Sequence, residues 1–351
     1  MYKLFFPLFL ISNFIFPQNA NSNFEFSGIH EFWKIVDKLE LNKEPSNSEW
    51  NELFKTPGYK ILTSSEFPKQ FFIENFRLVF MPSKKDELNS ALKSGRNLNH
   101  LNHYIKVKNN KKLIDEQLTK LSRKNISKEA VKKTMQFLPL NNVDQYPPVS
   151  FVIFESNGRG SSPIVVDLAA SIEWDLLNFL SHEFHHWYRN RQLQYDIYKI
   201  DENDEDLVNA FAKIEAEGIA DMVDKKDWFT KSSNAVSTYA RQYIDEVGKT
   251  PYAIKLIDEL LIEISKNPKK SKQIGQKILQ NIPQQGHTIG YFMASLILEK
   301  IGKNELVKSV GNPFQFIKLY NTAAQKSNGR YPKFSEQSII LINKLEVKYS
   351  L

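Results

Sequence analysis

Cysteine is absent from the 351 residues, so disulfides and thiolate-ligated metal sites are excluded. Any bound metal must be held by His, Asp or Glu. A chain without cysteine also cannot be a lipoprotein anchored through an N-terminal Cys. Histidine is scarce, with seven copies. The apolar run LFFPLFLISNFIF after Lys3 is too short to span a bilayer comfortably, and small residues at Ala20 and Ser22 follow it. Residues 1–22 therefore read as a cleaved export signal, and the mature protein is expected to be secreted or periplasmic, with no stable membrane insertion. Massed charge of one sign is lacking too: the net +7 is spread along the chain, its densest run being KVKNNKK. With no recognition helix, zinc knuckle or aromatic RNA-binding signature, nucleic acid is not expected as a partner. What is present, 41% hydrophobic and 25% charged residues, suits a globular protein and excludes wholesale disorder.

From residue 23 to about 142 the pattern is mixed. EFWKIVDKL and the segment around Trp50 to Phe54 have helical spacing. TPGYKIL reads as a turn at Pro57-Gly58, a basic helix-like stretch carries HLNHY, and KEAVKKTMQFL reads as a further helix. PPVSFVIFES and SPIVVDLAA are β-branched and aromatic runs joined by NGRGS, which predicts a hairpin or two neighbouring strands. Helical periodicity then occupies residues 173–192, 204–224, 235–247, 251–265, 285–301 and 314–325, with a last helix near the C-terminus. The fold class expected is α+β, mainly helical, with a small sheet before a helical C-terminal half. The domains expected are the signal (1–22), a mixed region (23–142) and a catalytic domain (143–351).

Three of the seven histidines fall in NFLSHEFHHWYRN. On a helix, positions i and i+4 share a face, so His182 and His186 can direct imidazole nitrogens at one ion. Glu183 reaches the rim of the same site, where it can take a proton from a zinc-bound water that attacks a carbonyl. Each fixed position of H-E-x-x-H thus has a chemical task. His185 is expected to support the ligands or line the pocket. HEFW, from His30, lacks the second histidine and reads as a helix start. His100 and His103, in a basic stretch without a nearby acid, read as a solvated face.

A catalytic zinc takes a third protein ligand and keeps one position open. The segment NAFAKIEAEGIADMVDKK offers Glu217 and Asp221 at i and i+4. Glu217 is assigned as ligand, with Glu215 its rival, and Asp221 as acceptor of the free N–H of a ligand imidazole, that of His182. Gly218 would allow close backbone approach of a second helix.

SHEFHHWYR, EAEGIAD, GHTIGYFMA and, weakly, TPGYKIL resemble the gluzincin group of zinc metallopeptidases. They resemble more closely a bacterial family of zinc-dependent peptidases catalogued as a domain of unknown function. The resemblance spans residues of about 149–324, with a longer loop between His186 and Glu217 than in the thermolysin type. It implies a zincin-like fold, Zn²⁺ as cofactor, a peptide or protein substrate, and a donor to the oxyanion from Tyr291 or His287. Composition alone equally allows those two residues to be core and cap. The resemblance also implies that SPIVVDLAA presents an edge on which an extended substrate pairs. Competing readings are a non-catalytic metal-binding surface protein and a zinc hydrolase of a non-peptide bond.

Overall fold

The computed structural model describes residues 23–139, 145–230 and 237–351; the expected export segment lies outside them. After a two-residue strand, β1 (Phe24–Glu25), the N-terminal third is helical rather than mixed. It runs through α1 (Ser27–Glu40), α2 (Asn47–Lys55), α3 (Pro57–Ser65), α4 (Lys69–Phe80), α5 (Lys85–Ser94), α6 (Leu98–Asn109), α7 (Lys111–Arg123) and α8 (Ile126–Thr134). His30 lies in the first turns of α1, as expected. Pro57 does not turn the chain. Its fixed φ and missing N–H suit the first position of α3, and Gly58 lies so close to the sheet that a Cβ would meet Val152 Cγ1 at 2.6 Å.

The sheet adds β2 (Val149–Val152), β3 (Gly158–Arg159) and β4 (Ile164–Asp167), in the order β1-β2-β4-β3. β1, β2 and β4 are parallel, with Ser150 opposite Val165, while β3 runs antiparallel to β4. Of the two arrangements expected, neighbouring strands rather than a hairpin is observed, and NGRGS supplies a strand of its own. Every residue of β2 and β4 is buried, as befits parallel strands covered on both faces. Helices from the N-terminal third hold the chain as it leaves β2: Tyr59 Oη donates to Ile153 O at 2.6 Å and Tyr104 Oη to Phe154 O at 2.7 Å.

The remainder is helical: α9 (Leu176–Arg189), α10 (Glu205–Asp224), α11 (Thr238–Lys266), α12 (Ser271–Asn281), α13 (His287–Lys300), α14 (Lys303–Lys308), α15 (Pro313–Gln325) and α16 (Glu336–Tyr349). Two helices expected across 235–265 are one, because Pro251 does not break α11. The Val247 carbonyl that Pro251 cannot serve accepts instead from the Thr250 hydroxyl. α10 is the hub, packed by α9, α12, α13 and α15. At its crossing with α13, Gly218 faces Gly290 so closely that a Cβ on Gly218 would lie 2.3 Å from the Gly290 carbonyl carbon. Asp204, just before α10, anchors the chain end by accepting from Tyr349 Oη at 2.7 Å and Lys348 Nζ at 2.9 Å. One apolar core runs from Phe24 to Tyr349. Among the described residues no helix is long and apolar enough to cross a membrane.

Candidate metal centre

Asp175 caps the start of α9, its side chain accepting the Asn178 N–H at 3.1 Å. Its apolar face buries Leu180, Phe184 and Tyr188, and this fixes the rotation of the helix. His182 and His186 then stand one turn apart with their Nε2 atoms 2.9 Å from each other. Glu217 reaches them from α10, its Oε2 lying 3.2 Å from His186 Nε2 and 3.3 Å from His182 Nε2. A tetrahedral ion with bonds of about 2.0–2.1 Å spaces its donors by roughly 3.3 Å. The three donor atoms therefore fit the base of one zinc-sized polyhedron, and two imidazoles with a carboxylate are a donor set that zinc takes in hydrolases and that ferrous iron also accepts.

Acids crowd the far side of this triangle. His182 Nδ1 is 3.2 Å from Asp224 Oδ1 and 3.4 Å from Asp221 Oδ1, so Asp224, which the sequence did not single out, is its nearer partner. Asp221 serves other groups first: Tyr243 Oη donates to it at 2.6 Å, Lys225 Nζ at 2.5 Å, and His287 Nδ1 lies 3.0 Å away. His182, Glu217, Asp221 and His287 each offer one ligand atom, all within 4.8 Å of one another, so this cluster can bind a metal.

The electrostatics are those of a cation site. Burial and Lys225 pull the His182 pKa down, yet Asp224 and Glu217 outweigh them and hold it well above the usual imidazole value. Burial would raise Glu217, but the imidazoles of His186 and His182 hold its carboxyl well below the ordinary range. Lys225 is kept charged because Asp221 and Asp224 overcome the cost of its burial. Positive charge is thus stabilised at this point, and a metal ion would displace the proton from His182.

Beside the triangle lies a cleft of about 1090 Å³, lined by His182, Glu183, His186, Glu217, His287 and Tyr239 among others. The Glu183 carboxylate rests against Gly160, where any Cβ would come within 2.3 Å of its Oε2. Asn157 to Gly160 form the adjoining wall. The edge strand there is β3, not β4 as the resemblance implied, because β4 is paired on both sides. Tyr239, at the start of α11 and 58% exposed, is a cleft residue that no local pattern marks out.

Several expected residues lie elsewhere. His185 is fully buried, donates from Nε2 to the Phe137 carbonyl at 3.2 Å, and is not at the cleft; burial drives its pKa down to about 3. Tyr291 is core: its ring stacks on Phe229 with centroids 4.5 Å apart, and burial pushes its hydroxyl up to about 12. His287, its rival as donor, does line the cleft. Glu215 is buried against Arg189, whose Nε donates to it at 2.9 Å, and it accepts the Gly311 N–H at 2.9 Å, so it is not free to ligate. The solvated reading of His100 and His103 also fails. His103 is 6% exposed and bonded to Asp167 at 2.9 Å, while His100 sits 3.1 Å from Glu155, both acids arriving from the distant sheet region.

No curated protein and no solved structure matches the chain. Residues 50–329, 280 of the 351, match the model of a family described as "Putative zinc dependent peptidase (DUF5700)". That span includes every residue of the triangle, the cleft acid Glu183 and the Asp221–Asp224–Lys225 cluster, and the chain belongs to this family.

Proposed function

We propose that the protein is a zinc-dependent peptidase of zincin-like build, with His182, His186 and Glu217 as metal ligands and Glu183 as general base. The observation that carries this reading is the mutual approach of three donor atoms to 2.9–3.3 Å beside a carboxylate on the cleft wall. Asp221 is left out of the ligand set because Lys225 and Tyr243 already occupy its oxygens.

When bound, zinc supplies a Lewis acid and acidifies a coordinated water to a pKa of about 7. Glu183 takes a proton from the attacking water and delivers it to the leaving amine as the C–N bond breaks. The absence of a side chain at Gly160 leaves room for that carboxylate. Asp224 accepts from His182 Nδ1–H, which fixes the tautomer and turns the Nε2 lone pair toward the other two donors. His287, steered through Nδ1 by Asp221, and the Tyr239 hydroxyl are the cleft donors that meet negative charge on the substrate oxygen. An extended peptide is the substrate form that suits a cleft walled by the β3 edge. The apolar run after Lys3 supports action outside the cytoplasm.

Glu183→Gln is the discriminating variant. It should keep its zinc and its melting temperature while hydrolysis of a denatured protein or peptide library falls about 10²-fold or more. Equal hydrolysis by wild type and variant would end the peptidase reading.

A further inference from the structure

We propose a second hydrolytic site at Ser156, which takes esters of small acyl groups through a Ser156–His103–Asp167 relay. Asp167, at the end of β4, is fully buried and accepts the N–H of Phe154 and of Ala170, each at 2.8 Å. Its Oδ2 also lies 2.9 Å from His103 Nε2. A carboxylate only accepts, so Nε2 carries the imidazole proton and Nδ1 presents its lone pair. That lone pair faces Ser156 Oγ at 3.1 Å, and the serine hydroxyl donates to it.

Carboxylate, imidazole and hydroxyl thus stand in the order that activates a serine, with the two ring nitrogens in exchanged roles. Tying α6 to β4 needs only the His103–Asp167 bond. It does not account for an exposed hydroxyl on the other ring nitrogen, at the rim of a cavity of about 470 Å³. Asn99, Asn102 and Lys106 line that cavity together with Glu155, and the two asparagines are its neutral donors for a developing oxyanion, Lys106 being paired with Glu173 at 2.6 Å. Asn157 borders both this cavity and the metal cleft, yet no proposed zinc ligand lines it.

In the reaction, Ser156 Oγ bonds to the ester carbonyl carbon while its proton passes to His103 Nδ1. The ester C–O bond then breaks and that proton leaves with the alcohol. Water, deprotonated by the same nitrogen, releases the acid and restores the serine.

The test uses the purified full chain and a fluorophosphonate, which forms an Oγ–P bond with loss of fluoride. Mass mapping should place the adduct on Ser156, and Ser156→Ala should carry none and lose the p-nitrophenyl acetate burst. His103→Ala should label at least tenfold more slowly, with the rate restored by added imidazole. An adduct elsewhere, no adduct, or an unchanged burst in Ser156→Ala overturns the proposal. So does His103→Ala labelling at the wild-type rate, or folded His103→Ala that imidazole fails to rescue.

Discussion

Gly218→Ala would probe how the helix carrying Glu217 is placed. The added methyl would lie 2.3 Å from the Gly290 carbonyl carbon and 2.4 Å from its oxygen, whereas ordinary contact begins at 3.4 Å. The obstructing atoms are backbone and cannot rotate aside, so α10 and α13 must separate by roughly 1 Å, with an overpacking cost of about 1–3 kcal/mol. At roughly 1.4 °C per kcal/mol for a chain of this size, the melting temperature should fall by about 1.5–4 °C. Because Glu217 precedes the substituted residue and His287 begins the opposing helix, zinc affinity should weaken together with stability. Gly290→Ala meets Ile214 O at 2.1 Å across the same crossing. The double variant should therefore cost less than the sum of the singles, since one displacement relieves both clashes. Thermal unfolding combined with zinc competition against a chromophoric chelator measures both quantities. A Gly218→Ala protein that melts within a degree of wild type and holds zinc equally well would refute the close-crossing argument.

Gly160→Ala should displace the Glu183 carboxylate and lower peptide hydrolysis about 10²-fold, with zinc content unchanged by metal analysis. Lys225→Met removes the cation between Asp221 and Asp224 and leaves His182, Tyr243 and His287 as their remaining partners, so denaturant unfolding should show a loss of about 3 kcal/mol. Burial raises the Asp204 pKa, but Lys348, Tyr349 and Ser271 outweigh it and hold the carboxyl below its ordinary value. Its contribution is then present above the unfolded pKa of about 3.9 and disappears as pH falls through the lower folded value. Urea midpoints should accordingly decline more steeply below about pH 4 for wild type than for Asp204→Asn.

How much of this was legible depends on the range over which each cause acts. The i, i+4 pair His182 and His186 and the helix bearing Glu217 are written in local periodicity, and the structure brings their donor atoms together. Asp224 was not legible, because Glu217, Asp221 and Asp224, on two successive turns of one helix, differ only in which neighbour each meets, and that is decided by the packing of α9 on α10. Tyr243 has no local signal that ties it to Asp221, which accepts from both it and Lys225 in the fold. His103 lacked a local acid since its partner is 64 residues away on a strand. Prolines misled twice. Pro57 begins a helix where Pro-Gly suggested a turn, and Pro251 is tolerated because the Thr250 hydroxyl takes up the freed carbonyl. The edge strand β3, a Gly-Arg pair, has no alternating pattern by which sequence could reveal it.

X-ray absorption at the zinc edge of the purified chain tests the central claim most directly. The account predicts one zinc per chain, bound by two imidazole nitrogens and one carboxylate oxygen at about 2.0–2.2 Å, with room for one lighter ligand. A coordination shell without imidazole, or a folded chain that takes up no zinc, would contradict it.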